Sequence, residues 1–160
     1  MTLKTQRKNI FMPNNKSSII IKPFNFLTLN ELFEIVRARF DVFVCEQQIL
    51  EPEYDDIDYR SIHIFIHEEN HVIAYARLFQ GDKEDVWCIG RMLTTRRKQG
   101  LGALIIEAAV ETAKNYGATS ITLHAQIQAI GFYQKQGFKP SSPIFQEAGI
   151  PHREMIRKLT

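Results

Sequence analysis

Val86-Trp87-Cys88-Ile89-Gly90-Arg91-Met92-Leu93, then Arg97-Lys98-Gln99-Gly100-Leu101-Gly102 and an apolar-striped run to about Tyr116, is the stretch that decides the fold. A strand-like segment leads through a basic, glycine-bearing loop straight into a helix. A helix start leaves its first backbone N–H groups without intrahelical acceptors, at the positive end of the helix dipole. Such a junction suits a phosphate or pyrophosphate. Gly100 and Gly102 let the backbone approach an anion with no Cβ in the way, and Arg97 and Lys98 add formal positive charge. The loop is no P-loop, because the second glycine is not followed by lysine and Ser/Thr. A dinucleotide fingerprint needs a third glycine where Ile105 stands.

Composition bounds the rest. The chain has 160 residues, 44% hydrophobic and 24% charged, which fits one domain with a real core. A formal net charge of +2 without a Lys/Arg stripe argues against nucleic acid. Cys45 and Cys88 form no disulfide framework and no zinc spacing, and Cys88 reads as a small buried hydrophobe. No apolar run approaches the roughly 18 residues of a membrane span. Met1 to Ser18 is polar and basic, without a signal-peptide core, so the expected location is cytoplasmic. Residues 1–17 are expected to form a flexible N-terminal segment, with Met12 an alternative start, and residues 18–160 a single domain.

Outward from the loop, Ser18 to Lys22 is a β-branched strand closed by Pro23. Thr28-Leu29-Asn30-Glu31 has capping-box form, and Leu29, Leu32, Phe33, Val36, Phe40 and Phe43 follow at helical spacing. Glu46 to Arg60 is acidic and reads as a loop or short helix, either simply solvated or steering a cation. Ile62 to His67 and Val72 to Gln80 form a hairpin, and Gly81-Asp82 turns the chain into Val86 to Leu93. Leu101, Leu104, Ile105, Ala108, Ala109 and Thr112 make one helix face, ended by Tyr116-Gly117. Ser120 to Ala125 is a strand, and Gln128 to Gln136 a short helix stopped by Gly137. Phe138 to Ser141 and Arg153 to Lys158 are final strands joined by a Pro143 to Pro151 connection. The order predicts an α/β (α+β) domain, one mixed central sheet of about six to seven strands flanked by helices.

Arg97, Gly100 and Gly102 in the pattern R-x-x-G-x-G, between strand and helix, resemble the acetyl-CoA pyrophosphate loop of the GNAT (Gcn5-related N-acetyltransferase) superfamily. The element order is that family's order. Phe132-Tyr133-Gln134-Lys135-Gln136-Gly137-Phe138 is similar to its F/L-Y-x-x-x-G-F segment. Within the superfamily, Val42 to Gln47, Asp55 to Asp58, His63, Ile89-Gly90-Arg91, His124-Ala125-Gln126 and Gly149 to His152 resemble the ElaA/YjcF-like acetyltransferases.

The resemblance implies an N-acetyltransferase with acetyl-CoA as co-substrate and no metal. It assigns the pyrophosphate to Arg97, Lys98, Gln99, Gly100, Leu101, Gly102 and Ala103. Pantetheine falls to the strand backbone at Gly90, Arg91 and Met92, where an N–H of Gly90 or Met92 would support the oxyanion. Gln126 stands where many members carry a cofactor-contacting asparagine. Tyr133 becomes the general acid at sulfur, since a phenol is protonated at neutral pH. The base that frees the amine stays open among Glu46, His63 and His152. Glu46 is favoured by the partial burial expected at the end of an apolar helix. A metal is disfavoured, because His63 and His67 lie roughly 13 Å apart on an extended strand.

Two other readings compete. An autoinducer-synthase-like N-acyltransferase shares the fold and an R-x-x-x-F…E…D-x-x-D flavour at Arg39, Phe43, Glu46, Asp55 and Asp58. A non-catalytic acyl-CoA-binding sensor domain would keep the cradle and lack turnover. The implied partners are acetyl-CoA and an amine acceptor, small-molecule or peptide, with a homodimer left open and neither nucleic acid nor membrane.

Overall fold

In the computed structural model, which describes residues 10–11, 18–97 and 99–160, the β-branched and alternating runs pair into one mixed sheet. Its strands are β1 (Ile10–Phe11), β2 (Ser18–Pro23), β3 (Ile62–Glu68), β4 (His71–Gln80), β5 (Val86–Thr94), β6 (Ser120–Gln126), β7 (Lys139–Glu147) and β8 (Ile150–Lys158). They lie in the order β1-β2-β3-β4-β5-β6-β8-β7. All neighbours are antiparallel except β5 and β6, whose parallel pairing follows from the crossover through helix α3 (Leu101–Asn115). Seven of these strands match the expected elements. The eighth, β1, pairs Ile10 with Ile19 and Phe11 with Ser18 inside the segment expected to be flexible. The rest of that segment, like Lys98, lies outside the described residues.

Strand alternation divides the core into two layers. Ile64, Ile66, Ala74, Ala76, Ile89, Ile121 and Leu123 face α3 and bury its apolar side at Leu101, Ile105, Ala108 and Ala109. Phe65, Val72, Tyr75 and Leu93 face the opposite way, against helix α1 (Leu29–Arg39) and its continuation, while the short helix α2 (Ile57–Arg60) leads into β3.

Helix α1 begins with the expected capping box: Glu31 N–H donates to Thr28 Oγ1 at 3.1 Å and Thr28 N–H to Glu31 Oε1 at 2.9 Å. Lys22 Nζ, 2.8 Å from Glu31 Oε1, ties that start to β2. Thr28→Ala is expected to cost about 1 kcal/mol, read as a lower denaturant midpoint at unchanged m-value.

Which face of α1 is buried differs from the expectation. Ile35, Ala38, Arg39, Val42 and Phe43 are buried, whereas Leu29, Phe33 and Phe40 are exposed. The cause is Arg39, a charged residue on the core-facing stripe that periodicity counts as polar. Beyond Arg39 the helix widens into a π-helical stretch, Phe40–Glu46, closed by Gln47 N–H to Val42 O at 2.9 Å.

The C-terminal segment also departs from the expectation. Pro143 to Pro151 is a hairpin rather than a connection, with Ala148 (φ 51°) and Gly149 (φ 74°) at its turn. Proline is tolerated in β7 because β7 is the sheet edge and carries an irregularity between Pro140 and Ile144.

Candidate active site

β5 and β6 pair only from Val86–Ser120 to Ile89–Leu123, although they continue to Thr94 and Gln126. Past that point the β5 main chain has no β6 partner, and a cleft opens between Gly90–Leu93 and His124–Gln126. A bulge in β5 contributes. Gly90 pairs with Arg77 and Leu93 with Tyr75, so Arg91 and Met92 face Ala76 alone. Arg91 holds φ at +53°, a left-handed conformation that a non-glycine residue adopts at a cost. A side chain on Gly90 would meet Arg77 Nε at 3.3 Å. The bulge therefore turns main-chain groups of Gly90 to Met92 toward the cleft edge, where an extended ligand can pair as an added strand.

The anion end of the cleft is the start of α3. Gly100 caps it at φ +69° with no side-chain cap. The first bond that reaches back to it is Leu104 N–H to Gly100 O, at 3.3 Å, so the N–H groups of Leu101, Gly102 and Ala103 remain for a ligand. Gly102 is crowded, since a Cβ there would lie 3.0 Å from Phe132 Cζ and 3.3 Å from Met92 Cε. Loop, β5 and helix α4 (Ile130–Lys135) thus converge on one backbone position. Leu101 anchors the turn in the core, while Arg97, Gln99 and Gly100 are exposed. An uncapped helix start with exposed Arg97 beside it is a donor set suited to a pyrophosphate.

Tyr133 on α4 is 8% exposed, edge-on to Phe132 (5.1 Å) and Phe138 (6.0 Å). Burial pushes its phenol up to about 12, so it keeps its proton throughout the neutral range.

The region around Arg39 and Arg77 is built from ion pairs that the sequence pattern did not reveal. Arg39, 2% exposed, bonds Glu53 Oε2 at 3.0 Å and Asp58 Oδ1 at 2.6 Å. Arg77 bonds Asp55 Oδ1 at 2.6 Å and Asp58 Oδ1 at 3.1 Å, and Arg91 reaches Glu53 Oε1 at 2.9 Å. Three of the acids expected to be solvated, or to steer a cation, are thereby neutralised. The Arg77 pairing holds the Asp55 carboxyl below its ordinary value. Burial pushes Glu53 up despite Arg39. The Arg91 side chain points into this network, which leaves only its backbone at the cleft edge. Glu53 pairs with Arg39, Asp58 and Asp55 complete the cluster, and Glu46 stands outside it.

Glu46 is not partly buried. Its side chain is 59% exposed and sits 3.4 Å from Arg97 beside the anion loop. His63 is 1% exposed, with Nε2–H donating to the Asp58 carbonyl (2.9 Å) and Nδ1 accepting from the Tyr75 hydroxyl (2.8 Å). Both ring nitrogens are used, and burial holds its pKa down, so His63 is a neutral structural residue. Gln126 does reach the cleft, but its amide donates to Gln47 Oε1 (2.9 Å) and accepts from Gln128 (2.6 Å). These glutamines link β6 to the end of the π-helical stretch. His152 pairs in register with Gln126 and is buried beside it.

A cavity of about 280 Å³ lies between Phe24, Val36, Tyr54, Asp56, Tyr59 and His63. Arg39, Asp55 and Asp58 of the arginine–acid network also line it, and His63 is two strands from Gly90, about 10 Å by strand spacing. Among the described residues no group of three or more His, Cys, Asp or Glu is placed to hold a metal. No helix among them is long and apolar enough to cross a membrane.

A parallel strand pair that parts beside a glycine-opened helix defines the acyl-CoA-dependent N-acyltransferase class. The acetyltransferase (GNAT) domain matches residues 34–159, and the chain belongs to that family as an N-acetyltransferase. The uncharacterized N-acetyltransferase YjcF of Bacillus subtilis is 33% identical over 132 residues, 79% of this chain and 92% of its own. The crystal structure of Escherichia coli ElaA superposes with a TM-score of 0.82 at 26% identity, covering 89% of this chain and 99% of that one. An acyl-CoA N-acyltransferase from Pseudomonas aeruginosa gives 0.80 at 30% identity, covering 87% and 98%. The acyl-homoserine lactone synthase BjaI, at 16% identity and a TM-score of 0.69 over 81% of this chain and 76% of its own, shares the fold alone.

Proposed function

We propose that this chain transfers an acetyl group from acetyl-CoA directly to a primary amine, with Tyr133 as the general acid that protonates the departing sulfur. The observation that carries the reading is the meeting, at one cleft, of the free amides opening α3 and the unpaired β5 edge, with Tyr133 next to the Phe132 that packs against Gly102. The α3 amides hold the pyrophosphate, and Gly90 to Met92 pair with the pantetheine arm. A β5 N–H polarises the thioester carbonyl, a donor worth about 3–4 kcal/mol of barrier. The phenol lies above an ordinary thiol, about 8.5, so Tyr133 remains a hydrogen-bond donor and yields its proton only as negative charge grows on sulfur.

The test is thiol release from acetyl-CoA against a panel of polyamines, amino sugars, amino acids and peptides. Turnover with at least one primary amine is expected. Stabilisation by acetyl-CoA without release would make the chain a binder, and acyl-homoserine lactone made without acetyl-CoA binding would place it with the synthases. Tyr133→Phe is expected to lower kcat at least tenfold, at the low side of general acid–base effects, with acetyl-CoA binding retained. Unchanged turnover removes Tyr133 from the chemistry.

A further inference from the structure

We propose that His152, backed by Glu147, is the base that takes the proton from the incoming ammonium, and that Glu147 and His124 pass that proton to solvent. The proposal rests on the acetyl-transfer reading above and adds the residues that activate the acceptor.

His152 Nδ1 lies 2.7 Å from the Ile150 carbonyl. A carbonyl only accepts, so Nδ1 carries the hydrogen and the lone pair of the neutral ring is on Nε2. That lone pair faces Glu147 Oε2 at 3.6 Å. Two acceptors thus confront each other, too far apart for a direct hydrogen bond. The gap is complementary to a group with several N–H donors, which is what an ammonium is. Once His152 is protonated, the same carboxylate becomes its counter-ion.

The pair stands at the cleft. His152 sits opposite Gln126, the last residue of β6, and Gln126 in turn touches Gln47 across the mouth. Glu147 is close enough to Arg91 on the β5 bulge for that guanidinium to help hold its carboxyl below its ordinary value, after His124 and with His152. Phe145 stacks on the His152 ring at 6.2 Å and 22° and meets His124 edge-on at 5.0 Å, fixing both imidazoles.

From Glu147 the path runs outward. Its Oε1 is 2.9 Å from His124 Nδ1, and His124 Nε2 is 3.8 Å from Glu154 Oε2. His152 is 6% exposed, whereas the His124 and Glu154 side chains are 46% and 38% exposed, so the chain of groups ends in water. The other candidates lack such an arrangement: both nitrogens of His63 are taken, and Glu46 is exposed beside Arg97.

The step balances. The ammonium gives one proton to Nε2, and its freed pair forms the N–C bond. The C–S pair leaves with sulfur, which takes the Tyr133 proton, and the second N–H proton restores the phenol. One proton per turnover exits through His152. The groups facing this cluster are Arg91 from β5, His124 from β6, Glu147 from β7 and Glu154 from β8, so the acidic limb of the rate profile belongs to the cluster rather than to one ring.

The experiment measures kcat and kcat/KM against pH, using acetyl-CoA and the amine of highest turnover in the thiol-release panel. His152→Gln is expected to lower kcat about 10²–10⁴-fold, with thermal stabilisation by acetyl-CoA unchanged. The loss should shrink as pH approaches the amine's own pKa, where neutral amine needs no base. Glu147→Gln, at the exposed hairpin end, removes the counter-ion of protonated His152. The acidic limb should then move to lower pH by about one unit, a shift that a merely structural role would not give. His152→Gln within threefold of the parent kcat, or an unmoved limb in Glu147→Gln, overturns the proposal while leaving acetyl transfer standing. A parent chain that binds acetyl-CoA yet acetylates no amine overturns both.

Discussion

Arg39→Ala is expected to destabilise the chain by about 3–5 kcal/mol, the usual cost of removing one partner from a buried ion pair. For a domain of this size that corresponds to a fall in Tm of roughly 6–20 °C. The guanidinium uses every face. Nε contacts both Glu53 carboxylate oxygens at 3.1 and 3.0 Å, Nη1 and Nη2 hold Asp58, and Nη2 also donates to the Glu53 carbonyl at 3.0 Å. Tyr54 and Tyr75 pack their rings over it at 5.2 and 5.6 Å. Truncation leaves Glu53 nearly buried with only Arg91 as counter-charge, and Asp58 with only Arg77.

The pH dependence separates lost charge pairing from lost packing. Burial already raises the folded-state Glu53 pKa, and Arg39 is the main force opposing it. Without Arg39 that pKa rises further, and keeping Glu53 ionised costs stability wherever the pH exceeds it. The deficit of Arg39→Ala should therefore shrink as pH falls through the raised Glu53 value. Asp55 has the opposite sign: its lowered pKa gives stability present above the unfolded value and lost as pH falls through the folded one. Urea denaturation at pH 7 and near pH 5 checks this. An equal deficit at both would assign the loss to packing alone.

The two halves of the site were unequally legible in the sequence. The donor half rests on local grammar: a strand, two glycines with different duties and a helix start are all written within Val86 to Leu104. The family-like Phe132 to Phe138 segment places Tyr133 beside them. The region around Arg39 and Glu53 is set by tertiary pairing. Glu46 and Glu53 belong to one acidic run and nothing local distinguishes them, yet Glu53 is buried on Arg39 while Glu46 is exposed. The usable signal lay in the arginines. Arg77 interrupts the apolar strand His71–Gln80, and Arg39 falls on the buried stripe of α1. A charge in such a place must be paired, and the neighbouring acidic run supplies the partners. His152 was visible as a candidate, but its tautomer and the Glu147 carboxylate depend on a hairpin that the prolines of Pro143 to Pro151 disguised as a loop.

Gly102→Val is expected to weaken acetyl-CoA binding about 100-fold, about 2.8 kcal/mol, and to lower kcat as well. A Cβ at this position already meets Phe132 Cζ at 3.0 Å and Met92 Cε at 3.3 Å, and valine adds two further carbons. Either Phe132 moves, carrying the α4 backbone and the adjacent Tyr133 with it, or the α3 start withdraws from the cleft and its amides lose the anion. Gly100→Ala is the control. Gly100 has φ +69° but open space around its Cβ position, so alanine there costs about 1–2 kcal/mol of backbone strain without filling the cradle. Stabilisation by excess acetyl-CoA, which follows the logarithm of its concentration over Kd, reads the difference directly. Both variants lower the baseline, but Gly100→Ala should keep most of that stabilisation and Gly102→Val should lose it. Parental affinity in Gly102→Val would mean that the donor does not lie against the start of α3, and the cleft beside β5 would then need another occupant.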